Sequence, residues 1–230
     1  AVELGFDGYP SMQRTLQELV RNKLTSVQRI EVANDRIGNQ DVVSTVLQAD
    51  IDTLRKTSET LDRREMNESV ELILQAKRIY IIGVRSSTAI ADFLNFYFRN
   101  IFENVSLVSS TSTSEMFEQM LRVGKGDVVI GISLPRYSGR TVKVMQYAHD
   151  RQATVLAITD KPDAPAGKFA DHVLVAKSGM VSVVDSLVAA MSVINALVVS
   201  IGRSQERLLT QTFENLEHIW DEYDVYERVQ

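Results

Sequence analysis

The chain has 230 residues, 44% hydrophobic and 24% charged, the balance of a globular protein long enough to bury a substantial core. A formal net charge of −5 makes the chain as it stands a poor electrostatic match for nucleic acid. The absence of cysteine excludes disulfides, thiolate nucleophiles and cysteine-held zinc, and fits a cytoplasmic setting.

The opening, AVELGFDGYPSMQRTLQELVRNKL, reads as the end of a larger unit. Gly5 would stop a helix and Gly8-Tyr9-Pro10 would form the turn after it. A second helix follows, with Met12, Leu16, Leu19 and Val20 on one side. Residues 25–40 are mixed and polar and are expected to be a linker. From Asp41 the pattern tightens. Val43, Val46, Leu47, Ile51 and Leu54 recur at helical spacing, with a cap at Gln40 or Asp41. Another helix spans Arg64 to Gln75, with Met66, Val70, Ile73 and Leu74 facing inward. Residues 41–76 thus form helical segments ahead of the main domain.

From residue 77 to 204 the chain alternates strand and helix. The strands are Ile79–Ile82, Val105–Val108, Asp127–Ile132, Thr154–Thr159 and His172–Val175. The helices are Ser87–Phe102, Ser114–Arg122, Gly139–Asp150 and a long one from about Val183 to Ile201. Residues 205–230 add a C-terminal helix. Short β-branched runs without polar alternation, separated by helices, predict an α/β fold: a five-stranded parallel sheet with helices on both faces. The longest apolar run, Leu187 to Ile201, contains Ser192, Asn195 and Ser200 and is too short to cross a bilayer, so no membrane association is expected.

Ligands of such sheets bind outside the carboxyl ends of the strands. That rim holds Gly83-Val84-Arg85-Ser86-Ser87, the Ser/Thr cluster from Ser109 to Ser114, and the stretch Ser133-Leu134-Pro135-Arg136-Tyr137-Ser138-Gly139-Arg140-Thr141. A buried strand that ends in hydroxyls and feeds a helix N-terminus suits an anion, because the first free N–H groups and the helix dipole both favour negative charge. Ser138 is placed to be the N-cap, and Ser133 and Thr141 to add hydroxyl donors. The same stretch also reads as an ordinary capped helix after a strand. Gly83 is not followed by the other glycines of a dinucleotide fingerprint, and no P-loop is present. His149, His172 and His218 read as surface or structural residues, metal-ligand spacing is absent, and no cofactor is called for. Asp185, with Ser182 and Ser186, either closes over the rim or caps the long helix.

These residues resemble a known family. The alternation from about Arg78 to Ile201 is similar to a SIS (sugar isomerase) domain, a sugar-phosphate-binding fold with flavodoxin-like layering. Gly83-Val84-Arg85-Ser86-Ser87 is similar to the family's Gly-x-Gly-x-Ser, with Arg85 in place of the second glycine. Ser138-Gly139-Arg140-Thr141 matches its phosphate-holding Ser-Gly-x-Thr, here preceded by a longer loop carrying Arg136 and Tyr137. ISLPRYSGRT, VLAITD and VVDSLVAAMSVINALV together resemble the RpiR/MurR family of bacterial transcription regulators. That resemblance implies a helix-turn-helix domain, of which residues 1–24 would be the remnant, joined to a SIS domain sensing a sugar phosphate. It further implies DNA as a partner through the N-terminal domain. Apolar helices such as Asp41–Leu54 and the long C-terminal pair suggest subunit contacts, hence a homodimer or homotetramer. No catalytic residues are expected. The expected ligand site comprises Gly83, Arg85, Ser86, Ser87, Ser133, Arg136, Tyr137, Ser138, Gly139, Arg140, Thr141 and Asp185. Arg136 and Tyr137 are where ligand selectivity is expected to lie. The alternative is a SIS-type sugar-phosphate isomerase, which requires a positioned base.

Overall fold

The computed structural model describes residues 7–9, 12, 24–38, 40–180 and 184–226. The expected helix carrying Leu16, Leu19 and Val20, and most of the expected helix-turn-helix remnant, lie outside the described residues. Three helices precede the sheet: α1 (Ser26–Ile37), α2 (Val42–Thr60) and α3 (Arg63–Leu74). Then follow β1 (Ile79–Gly83), α4 (Thr88–Ile101), β2 (Val105–Leu107), α5 (Thr113–Gln119), β3 (Val128–Ile132), α6 (Gly139–Asp150), β4 (Thr154–Thr159), β5 (His172–Val175), α7 (Val188–Ser204) and α8 (Glu206–Glu222). No single described helix is long and apolar enough to cross a membrane.

The five strands are all parallel, in the order β2-β1-β3-β4-β5. Side chains alternate between the two faces of the sheet. Ile79, Ile81, Val128, Ile130, Ile132, Leu156 and Ile158 pack with buried residues of α3, α4 and α7. Tyr80, Ile82, Val129, Val155 and Ala157 pack with α5 and α6 through Met116, Met120, Val144 and Met145. Every residue of β1 and β3 is buried, which is why those strands read as unbroken apolar runs.

Within residues 25–40, read from the sequence as a linker, Ser26–Ile37 form a helix. Its N-terminus carries a capping box: Thr25 Oγ1 accepts from Gln28 N at 3.3 Å, and Gln28 Oε1 accepts from Thr25 N at 2.9 Å. The helix buries Arg29 and Ala33 and exposes Val27, Ile30 and Val32, so its apolar residues point away from the body. α2 is likewise capped by Asp41, which accepts from Ser44 N at 2.7 Å. Its buried face is polar, with Thr53 and Thr57 inside, and Thr57 Oγ1 accepts from Lys177 N at 2.9 Å. Its apolar stripe, Val43, Leu47, Ile51 and Leu54, is exposed. His172 Nδ1 sits 3.2 Å from Glu65 Oε2 and ties β5 to α3.

Two glycines set how closely helices approach the strand ends. A Cβ on Gly83 would lie 2.6 Å from the Ser87 carbonyl oxygen and 3.0 Å from Ala91 Cβ. A Cβ on Gly131 would overlap the Met145 thioether, so its absence lets α6 lie tightly over β3. Backbone cannot yield as a flexible methionine can. Gly83→Ala is therefore expected to destabilise the fold by about 1–3 kcal/mol, a cost typical of overpacking. Thermal unfolding followed by circular dichroism would show it as a drop of several degrees, and Gly131→Ala would cost less.

Candidate functional site

The strand order reverses between β1 and β3, since β1 continues to β2 on one side and β3 to β4 on the other. α4, after β1, packs on one face, and α6, after β3, on the other. The ground between their starts is left uncovered by either crossover, which is where open parallel sheets bind ligands. A cavity of about 620 Å³ occupies that place. Its floor is the β3 end, Ile132 and Ser133. Its sides are the β1 loop, Val84 to Ser87, and the β3 loop with the first turn of α6. Its roof comes from α1, α2 and the segment before α7, through Arg29, Asp50 and residues 184–188.

The phosphate-like end is built from the start of α6. Ser138 is the N-cap, its hydroxyl accepting from Arg140 N at 3.3 Å. The amides of Gly139 and Thr141 precede the first helical acceptors and are directed out of the helix end. Thr141 is fully buried, yet its Oγ1 has no hydrogen-bond partner. Ser133 is 2% exposed and its Oγ is unpartnered as well. Its backbone is fixed, because Ser133 N donates to Ile158 O at 3.0 Å and Thr159 Oγ1 donates to Ser133 O at 2.6 Å. Buried hydroxyls normally find partners, and leaving one unpaired costs about 1–3 kcal/mol. Two of them lining one cavity at a helix N-terminus form a ready cradle for an anion's oxygens.

Two arginines on the rim have left-handed backbones: Arg85 at φ 60° and Arg136 at φ 65°. For a residue bearing a Cβ this conformation costs on the order of 1–2 kcal/mol. At Arg85 it explains why the resembling family places a glycine there. Here the left-handed position carries an arginine instead, an exposed residue of the cavity lining. Arg136 also lines the cavity, and its Nη1 donates to Ser26 Oγ at 3.0 Å, so the loop touches the first residue of α1.

Of the residues expected at the site, the structure brings Arg85, Ser86, Ser87, Ser133, Arg136, Ser138, Thr141 and Asp185 together around the cavity. The other four are not in its lining. Gly83 acts through backbone approach. Tyr137 turns aside, its hydroxyl donating to Asp160 Oδ1 at 2.8 Å. Arg140 reaches the β2 loop, where Nη1 donates to Thr111 O at 2.9 Å and Ser110 O at 3.4 Å. Gly139 has open space where a Cβ would be, so packing does not demand a glycine there. Asp185 is not a helix cap: α7 begins at Val188, and its N-cap, Leu187, makes no side-chain bond. Asp185 instead takes both terminal nitrogens of Arg29, with Nη1 to Oδ2 at 3.0 Å and Nη2 to Oδ1. An antiparallel bridge from Met180 to Asp185 holds the segment in place.

Arg29 and Asp50 were missed by the sequence reading. Arg29 is 1% exposed, and its Nε has no partner. Asp50 Oδ1 is also buried and unpaired. The Thr25–Gln28 capping box was the local signal for the helix that carries Arg29. No local signal pairs Arg29 with a residue 156 positions away.

Replacing Arg85 by glycine should separate stability from function. Relief of the left-handed arginine is expected to raise stability by up to about 1 kcal/mol and the melting temperature by a few degrees. The same variant should bind inorganic phosphate more weakly in calorimetry, since one cavity-lining cation is lost.

Comparison with known proteins agrees with the fold. The family model of the SIS domain matches residues 72–200. An uncharacterized HTH-type transcriptional regulator of Clostridium perfringens is 27% identical over 173 residues, 75% of this chain and 61% of that protein. The HTH-type transcriptional regulator HexR of Escherichia coli is 30% identical over 156 residues, 66% of this chain and 51% of that protein. The chain thus spans only part of the length of the curated relatives it matches. Among solved structures, the sugar isomerase domain of an RpiR transcription factor from Sphaerobacter thermophilus superposes with a TM-score of 0.74 at 24% identity, covering 78% of this chain and 99% of that one. The Vibrio vulnificus NanR protein complexed with ManNAc-6P superposes with a TM-score of 0.69 at 18% identity, covering 96% of this chain and 78% of that one. The chain belongs to the SIS-domain family.

Proposed function

We propose that this chain is the effector-sensing part of a cytoplasmic DNA-binding transcriptional regulator of carbohydrate metabolism, and that its cavity takes a phosphorylated sugar. The observation that carries this reading is the pair of buried, unpartnered hydroxyls, Ser133 Oγ and Thr141 Oγ1, beside the N-terminus of α6. Ser138, Gly139 and Thr141 hold the phosphate, Arg85 adds charge, and the remaining volume accommodates the sugar. The HexR likeness supports a regulator, and the ManNAc-6P of the NanR structure supports the ligand class. DNA contact would belong to an N-terminal domain. The ligand would act by binding one arrangement of the protein better than another.

The expected result is a selective thermal shift. At a hundredfold excess over Kd, a bound sugar phosphate adds about 2.7 kcal/mol of stability, a rise of several degrees, and the unphosphorylated sugar adds none. Thr141→Ala should weaken binding about ten- to hundredfold. A broad panel of sugar phosphates that leaves the melting temperature unchanged would overturn the reading.

An isomerase is the second reading, favoured by one observation: Asp50 places an unpaired carboxylate oxygen in the cavity wall. Such an enzyme needs a base beside C1 and C2 of the sugar. The lining contains no histidine or glutamate, and its other carboxylate, Asp185, is held by Arg29. NMR of hexose and pentose phosphates incubated with the protein should therefore show no interconversion. Turnover lost in Asp50→Asn would establish the enzyme instead.

The exposed stripe on α2 supports a homodimer, because Val43 at 65%, Leu47 at 57% and Ile51 at 51% exposure form a contiguous apolar face. Light scattering is expected to give twice the mass of one chain, and Leu47→Glu to halve it. A monomeric parent protein would overturn the assignment.

A further inference from the structure

The roof of the cavity carries chemistry that the phosphate cradle does not use. Arg29, one turn into α1, is 1% exposed and lines the cavity. Asp185 occupies both of its terminal nitrogens. Of its three nitrogens, Nε is the one that is buried and without any acceptor. In the same lining Asp50, from α2, offers Oδ1, buried and without a donor. An unsatisfied donor and an unsatisfied acceptor in one cavity wall complement groups that both donate and accept, and hydroxyls do so. The ionised oxygens of an anion satisfy only the donor.

We propose that α1 is a ligand-gated clasp. Arg29 Nε and Asp50 Oδ1 bind hydroxyls at the non-phosphorylated end of the sugar, and Asp185 positions the Arg29 guanidinium for that contact. Occupancy then fastens α1 to the cavity. The clasp rests on the sugar-phosphate reading of the cavity and assigns the sensing step to residues outside the phosphate loop. Arg136 to Ser26 is a second tie between α1 and the rim, but it is exposed and independent of the buried pair.

The test compares inorganic phosphate with glucose 6-phosphate, fructose 6-phosphate and N-acetylmannosamine 6-phosphate, using calorimetry and hydrogen exchange across residues 25–38. At least one sugar phosphate is expected to bind ten times more tightly than inorganic phosphate and to slow exchange in α1, which inorganic phosphate does not. Arg29→Met, Asp185→Asn and Asp50→Asn should each weaken that sugar phosphate about ten- to hundredfold while changing inorganic phosphate less than twofold. A merely structural role would move both ligands together. Asp50→Asn keeps the Arg29–Asp185 pair, so it decides the matter if the other variants do not fold. The clasp is overturned by sugar-phosphate binding that leaves α1 exchange unchanged, by variants that bind as the parent does, or by no sugar phosphate exceeding inorganic phosphate. If Thr141→Ala abolishes binding and the roof variants do not, the clasp fails and the sensing function stands. Failure of every phosphate compound to bind the parent protein removes both.

Discussion

Reversal of strand order between β1 and β3 is the constraint on which the cavity depends. Parallel strands are joined by crossovers, and a crossover to the left and one to the right cannot both cover the same edge. α4 and α6 therefore diverge to opposite faces. What they leave is a crevice with one helix N-terminus at its edge and two strand ends as its floor. The glycines at 83 and 131 let backbone and helix come close there. The hydroxyls of Ser133 and Thr141 then end up in a place that packing has sealed from other partners. The gathering of unpaired hydroxyls at a helix N-terminus is a consequence of topology as much as of residue type.

The rim is assembled at a cost in local stability. Left-handed Arg85 and Arg136 and four unsatisfied polar atoms, on Arg29, Asp50, Ser133 and Thr141, all fall on one cavity. Strain and unmet hydrogen bonds at a single location are what a binding site shows when its partner completes it. The opposite end of the sheet behaves differently. There, buried Asp127 accepts from Arg78 Nε at 3.1 Å, Arg78 Nη2 at 2.8 Å and Gly124 N at 3.0 Å, and its acceptors are well used. One end of the sheet has its buried polar groups paired, and the other leaves several of them unpaired.

Much of this was legible in the sequence. The five strands were found to within a residue or so, because a two-faced sheet demands unbroken apolar runs such as Val128–Ile132. The Ser138 cap and the first turn of α6 followed from the same local rules. What escaped were the elements whose pattern runs the other way. α1 hides Arg29 and Ala33 and shows Val27 and Ile30, so apolar periodicity could not mark its buried face. In α2 the periodicity did mark a helix, but the apolar stripe faces outward and the buried side is threonine. Tyr137 and Arg140 were misplaced for a related reason: position in a rim loop does not decide whether a side chain turns inward, and each found a partner outside the cavity.

The inverted helices also bear on why a buried arginine is kept. A buried ion pair contributes little net stability, because desolvation of both charges offsets their attraction, and apolar replacements of similar volume are often as good. Arg29–Asp185 would thus be a weak choice if α1 only had to stay attached. An apolar anchor would hold the helix permanently and would take no account of the cavity's contents. A guanidinium held at its tip by a carboxylate, with Nε left over, holds α1 weakly on its own and more strongly once a hydroxylated ligand completes it. The polar underside of α1 is accordingly the feature that makes its attachment depend on occupancy, and it is the same feature that hid the helix from hydrophobic patterning.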